Sequence, residues 1–210
     1  MSKTAGADQS GTIAIPDEST LGVSVRHMMS ENYYAYVSFS DAKADSTEPF
    51  DGFNNFFSDN QYFKSLEIGW VPSKESFYMQ NSHLTVWHSD GPKDRSSENY
   101  GANWSTIQSF GDWVPFLRAG VAKGSEALYQ SSVVAGMGYL GLGGTLGLGV
   151  GWAKPNASFD DTYNSELYYR MTFGPVSVTP NVQYLKRLPF NSQADSAWVF
   201  ALRGNINISF

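Results

Sequence analysis

The side chains of this 210-residue chain that could do chemistry are few and widely spaced. Six are charged: Arg26, Glu67, Arg118, Glu166, Arg170 and Arg203. Five are aromatic: Tyr34, Tyr36, Trp87, Phe116 and Tyr168. Arginine and glutamate bond hydroxyls through fixed forks of donors and acceptors, while aromatic rings stack on apolar C–H faces. That is the chemistry of weak recognition rather than of bond making. Glu67 and Glu166 could be read as a glycosidase acid and base, but they lie 99 residues apart and nothing in the pattern sets their separation. His27, His83 and His88 form no metal motif, because alternation sends His83 and His88 to opposite faces of one strand. Asp160-Asp161 reads as a solvated turn rather than a calcium site. The glycine-rich run 136–151 lacks the Lys-Ser/Thr ending of a phosphate loop and reads as a smooth strand wall beside a turn. The absence of cysteine removes disulfides, thiolate catalysis and Cys-ligated metals. No catalytic residue, metal or cofactor is expected.

What must hold these side chains is a set of strands. At the C-terminal end Trp198, Phe200, Leu202, Gly204, Ile206, Ile208 and Phe210 fall on one face, and Val199, Ala201, Arg203, Asn205, Asn207 and Ser209 on the other. Period two means a strand with one oily and one polar face; a helix would mix the two sets. Segments 145–153, 163–173 and 176–184 alternate in the same way. Further strands read near 21–29, 33–42, 63–71, 82–90, 99–109, 114–122 and 129–140. The total is eleven, with no convincing amphipathic helix. Connections alternate between tight (near 30–32, 111–112, 141–144 and 173–175) and long (43–62, 90–98, 122–128, 153–161 and 186–196), with the link at 72–81 as the weak member. An up-and-down meander with one turn rim and one loop rim produces this.

Composition favours a membrane setting for that meander. Charged residues are 16% of the chain against about a quarter in soluble domains. No apolar run is long enough for a membrane helix, which leaves a β-barrel open. Tyr33, Trp70, Trp113, Tyr139, Trp152, Tyr163, Phe173, Trp198 and Phe210 gather near strand ends, where interfacial girdles form. The polar faces carry small residues with isolated charges, suited to a narrow water-filled lumen. A net charge of −6 gives no reason to expect nucleic acid. Residues 1–20 read as a flexible N-terminal segment without an export signal, and 21–210 as the barrel region.

Several strings resemble the carbohydrate-selective porins of Gram-negative outer membranes, the OprB family. They are Tyr62-Phe63-Lys64-Ser65-Leu66-Glu67-Ile68-Gly69-Trp70, His83-Leu84-Thr85-Val86-Trp87-His88 and Val114-Pro115-Phe116-Leu117-Arg118-Ala119-Gly120. Further along come Ser165-Glu166-Leu167-Tyr168-Tyr169-Arg170, Val178-Thr179-Pro180-Asn181-Val182-Gln183 and Trp198-Val199-Phe200-Ala201-Leu202-Arg203. They occur in the family's order. The resemblance implies an antiparallel transmembrane β-barrel of the bacterial outer membrane, of sixteen strands, of which this chain looks like the C-terminal portion. It also implies an aromatic C-terminus, Phe210, presented to the barrel-insertion machinery.

Taken together, alternation and resemblance predict a porin passing small sugars. Arg118, Glu166 and Arg170 are placed at the constriction, Glu67, Arg26 and Arg203 along the lumen wall, and Trp87, Phe116 and Tyr168 as stacking surfaces beside Tyr34 and Tyr36. Charges of both signs suit neutral polyols better than ions. Each has a plainer reading: an Arg facing a Glu across strands is a structural ion pair, and Trp87 or Phe116 fills space near a rim. The Phe-rich stretch Phe50, Phe53, Phe56 and Phe57 in the longest loop either folds inward or packs against a neighbouring subunit, and packing is favoured. Expected partners are sugars, outer-membrane lipid, the insertion machinery and further copies of the chain. The rival readings are a non-transporting structural or adhesive barrel and a soluble β-sheet binding module.

Overall fold

A computed structural model of the chain describes residues 21–42, 50–58, 60–77, 79–90, 98–124, 127–141, 143–156, 158–187 and 194–207. Alternating sequence has become eleven strands: β1 (Gly22–Met28), β2 (Tyr33–Asp41), β3 (Tyr62–Trp70), β4 (Asn81–Ser89), β5 (Asn99–Ile107) and β6 (Trp113–Lys123). They continue as β7 (Tyr129–Gly141), β8 (Gly144–Pro155), β9 (Thr162–Phe173), β10 (Val176–Lys186) and β11 (Ser196–Ile206). Each pairs antiparallel with the next in chain order, so the described sheet is a single meander with β1 and β11 as its open edges. The expected fold class is met, strand for strand. The last strand stops at Ile206, and Ile208 and Phe210 lie outside the described residues, as do residues 1–20.

Register keeps the two faces separate across the whole sheet. One ladder runs Arg26↔Tyr36↔Glu67↔Thr85↔Asn103↔Gly120↔Ser132↔Ala153↔Thr162, polar or small at every rung. The neighbouring ladder runs Val25↔Val37↔Leu66↔Val86↔Ala102↔Val121. A one-residue slip in any pairing would exchange the faces, so this continuity is strongly specified. The apolar face is not buried against a second sheet. Leu202 is 73% exposed, Ile206 67% and Leu148 52%. A sheet that leaves its apolar side this open fits a lipid-facing wall and speaks against the soluble β-sheet module.

The girdles follow from register as well. Trp113 lies against Tyr139 with ring centroids 4.7 Å apart near the tight turns, and Tyr184 against Trp198 at 4.9 Å near the long loops. Tyr163 and Phe173 sit at opposite ends of the outward face of β9, ten residues apart. At about 3.3 Å per residue and a tilt near 40°, they bracket an apolar band about 25 Å tall. The tight turns use glycine where the backbone turns left-handed: Gly143 has φ of 75° and Gly174 of 58°.

Two loops depart from expectation. The longest contains a helix, α1 (Asp51–Ser58), which the Phe-rich sequence had not suggested. Its Phe56 packs edge-on against Phe39 at 5.7 Å and Tyr62 at 5.4 Å, both on the outward face. The helix therefore clips onto the outside of the sheet, with Phe50, Phe53 and Phe57 exposed, and does not fold inward. Conversely, the link between β3 and β4 is longer than a minimal turn because it folds over the lumen face. Asn32 anchors it by donating to the carbonyls of Val71 (3.0 Å) and Pro72 (2.8 Å), and Phe77 comes to 5.4 Å from the Tyr34 ring.

Candidate functional site

All eleven side chains singled out from the sequence share the polar face, as the pairing registers require. They fall into three groups with different surroundings.

The first group is built on β1 to β4. Tyr34 is fully buried, and its hydroxyl donates to Glu67 Oε1 at 2.7 Å while accepting from Asn81 Nδ2 at 3.2 Å. Thr85 Oγ1 donates to Glu67 Oε2 at 2.9 Å. His83 Nδ1 meets Asn81 Oδ1 at 2.7 Å, and its other nitrogen is 4.0 Å from Glu67. Both carboxylate oxygens are thus held by the wall itself. Arg26 lies over three rings, at 4.6 Å from Phe77, 5.3 Å from Tyr36 and 5.7 Å from Tyr34. A guanidinium stacked this way is positioned by cation–π attraction rather than by a carboxylate. Sequence reasoning missed Phe77 because it stands in a link with no alternation.

The second group is a small plug near the long loops. Trp87 is 4% exposed, stacked on Phe63 at 6.2 Å, packed with Ala127, and donates its indole N–H to Asn103 Oδ1 at 3.2 Å. Gly101 lies against it, leaving no room for a Cβ. This is the space-filling alternative for Trp87.

The third group is the open one, on β6 to β9. One ladder reads Phe116↔Gly136↔Gly149↔Glu166 and the next Val114↔Gly138↔Gly147↔Tyr168. Four glycines therefore form a bare floor two strands wide. It is framed by Phe116 and Val114 on one side and by Glu166 and Tyr168 on the other. The Phe116 ring leans over Gly136 and the Tyr168 ring over Gly147, each where a Cβ would collide with it. Nothing comes closer than 3.7 Å to a Cβ at Gly138 or 3.9 Å at Gly149, so the diagonal between the rings stays open. The cleft above the floor holds about 310 Å³, and Met79 of the inward-folded link closes one side. Arg118 lies 5.3 Å over the Phe116 ring, Glu166 accepts from Asn181 Nδ2 at 2.8 Å, and Arg170 is exposed at the rim. Arg203, opposite Thr179 on the edge strand β11, is exposed and outside this group.

The carboxylates Glu67 and Glu166 stand six strands apart in the sheet and share no partner. His83 and His88 are on opposite faces, and the described residues contain no cluster of metal-ligating side chains. Asp161 accepts from the Trp152 indole at 2.9 Å and Asp160 lies 3.9 Å from Arg187, which gives both aspartates structural partners in the loops.

Comparison with known proteins joins this geometry to a family. No curated protein matches the sequence. The fold is similar to that of the high-pH structure of Pseudomonas putida OprB, with a TM-score of 0.66 and 16% sequence identity. The similarity covers 88% of this chain and 58% of that one, so this chain spans little more than half of that protein's length. The family model of the carbohydrate-selective porin, OprB family, matches residues 77–208, a stretch that holds the glycine floor and everything framing it. With lipid-facing strands, a polar inner wall and that match, the chain belongs to the carbohydrate-selective porin, OprB family, of the bacterial outer membrane.

Proposed function

We propose that this chain forms the wall of a diffusion pore for small neutral sugars and that the glycine floor is where the sugar touches it. The observation that carries this reading is the slot between Phe116 and Tyr168 over Gly138 and Gly149. A pyranose has two apolar C–H faces and a polar edge. The rings offer stacking surfaces, while Arg118, Glu166 and Arg170 offer donors and an acceptor to hydroxyls. Bare glycines between them let the solute slide without a side-chain barrier. Such contacts are individually weak, and weak contact suits a pore, since a solute that binds tightly does not leave. Arg26 and Arg203 extend the polar track along the wall. Glu67 and Trp87 shape that wall from within, because their polar atoms already have protein partners.

The test is conductance of the full-length protein in planar bilayers, titrated with a neutral hexose. Hexose should lower the current in a saturable way. Removing one hydrogen-bonding group that contributes about 1 kcal/mol should raise the half-blocking concentration about fivefold in Arg118→Ala. Lys74→Ala, in the link at the turn end, should leave it unchanged. Absence of block, or equal shifts in the two variants, would overturn the assignment.

A further inference from the structure

Arginine and lysine are sorted to opposite faces of the sheet. All four strand arginines, Arg26, Arg118, Arg170 and Arg203, point to the lumen. All four strand lysines, Lys64, Lys123, Lys154 and Lys186, point outward, and all stand at the long-loop end. With His88 they make a comb: His88, Lys123, Lys154 and Lys186 are the last or next-to-last residues of β4, β6, β8 and β10. Basic side chains therefore recur on every second strand, about 9.5 Å apart. Aromatics share the same level, with Trp152 paired to Tyr163 and Tyr163 to Lys186. At the turn end the outward faces carry Tyr33, Trp70, Trp113, Tyr139 and Phe173 but, among the described residues, no lysine or arginine.

Among the described residues, loop carboxylates account for only one end of the comb. Asp90 bonds Lys64 at 3.2 Å and lies 3.5 Å from His88, which Glu98 approaches at 3.9 Å. Asp161 is engaged with Trp152 and Asp160 with Arg187. Among the described residues no carboxylate pairs with Lys123, Lys154 or Lys186. These three sit on the lipid side, above exposed Val121, Val150 and Phe200. A lysine there lays its stem along apolar surface and lifts its ammonium to headgroup level. An ammonium row at headgroup level, flanked by interfacial aromatics and confined to one leaflet, complements phosphate on lipid.

We propose that Lys123, Lys154 and Lys186 form a docking row for the phosphate groups of lipid in the leaflet at the loop end. This rests on the outward face meeting lipid and is independent of sugar passage. The test measures binding of lipid A carrying two phosphates to the full-length protein in detergent by native mass spectrometry. Dephosphorylated lipid A and inorganic phosphate are the comparison probes. The variant K123Q/K154Q/K186Q should bind at least tenfold more weakly, K123R/K154R/K186R should bind normally, and K74Q, at the opposite rim, should match the parent. Should the triple glutamine variant not fold, K154Q alone should weaken binding about threefold. Undiminished binding in the folded triple variant, or in K154Q where the triple variant does not fold, would overturn the proposal. So would equal binding of dephosphorylated lipid, displacement by equimolar inorganic phosphate, or a change of oligomeric state with lipid binding unaltered.

Discussion

Tyr34 offers the sharpest test of how the lumen wall is held. Its fully buried hydroxyl both donates to a carboxylate and accepts from an amide, so Tyr34→Phe removes two bonds while keeping the ring against Phe77. A bond to a charged acceptor contributes about 1.5–3 kcal/mol, and leaving Asn81 short of its partner costs about 1 kcal/mol more. The expected loss is therefore about 2.5–4 kcal/mol. In a Glu67→Gln background the acceptor is neutral, and the same substitution should cost only about 1.5–2.5 kcal/mol. The difference, about 1 kcal/mol or more, is the coupling energy, and it exceeds the few tenths by which independent sites fail to add. Urea unfolding from lipid vesicles, followed by tryptophan fluorescence and by electrophoretic mobility of the folded form, yields all four corners of the cycle. Additive effects would refute the view that Tyr34 anchors Glu67, as would a Tyr34→Phe cost under about 0.5 kcal/mol. Half-blocking sugar concentration should be the same in Tyr34→Phe as in the parent; a change as large as that of Arg118→Ala would place Glu67 in the solute path.

Gly147→Ala should force the Tyr168 ring off the floor, whereas Gly149→Ala, with nothing nearer than 3.9 Å, should leave both rings in place and only narrow the slot by a methyl group; bilayer titration should show hexose block altered in both, and more in Gly147→Ala. Trp87→Ala should cost about 3–5 kcal/mol through the cavity left between Phe63 and Ala127, with hexose block intact, as unfolding and conductance measured on the same preparation would report. Leu148→Lys, on the lipid face, should destabilise the inserted protein by about 2–4 kcal/mol, measurable by the same urea unfolding; a neutral effect would mean that this face does not meet hydrocarbon.

Period two is a local property, so strands, faces and girdles were legible residue by residue. Arg118, Glu166 and Tyr168 could be assigned to one surface because an odd or even offset within a strand is all that face membership requires. The ordered strings around them pointed to the family for a similar reason, since they sit on the strands themselves. Helix α1 escaped because eight residues with three phenylalanines in a loop carry little periodic signal, and its position depends on Phe39 and Tyr62 from flanking strands. The inward fold of the link that carries Phe77 and Met79 was hidden in the same way.

From the chain alone came an alternating meander with oily and polar sides, rims of unequal length and a polar face bearing a few arginines, glutamates and rings. Which of those groups stand together was decided by register between strands far apart in sequence. Gly136 faces Gly149 only because β7 and β8 pair as they do, and only that pairing turns a glycine-rich run into a floor between Phe116 and Glu166. Register likewise tied Glu67 to Tyr34 and Thr85 while leaving Arg170 open, although the two look alike as isolated charges on a polar face. Side-chain direction is set within a strand by the chirality of its own residues, but neighbourhood across a sheet is set by hydrogen bonding between strands, which a linear pattern does not encode.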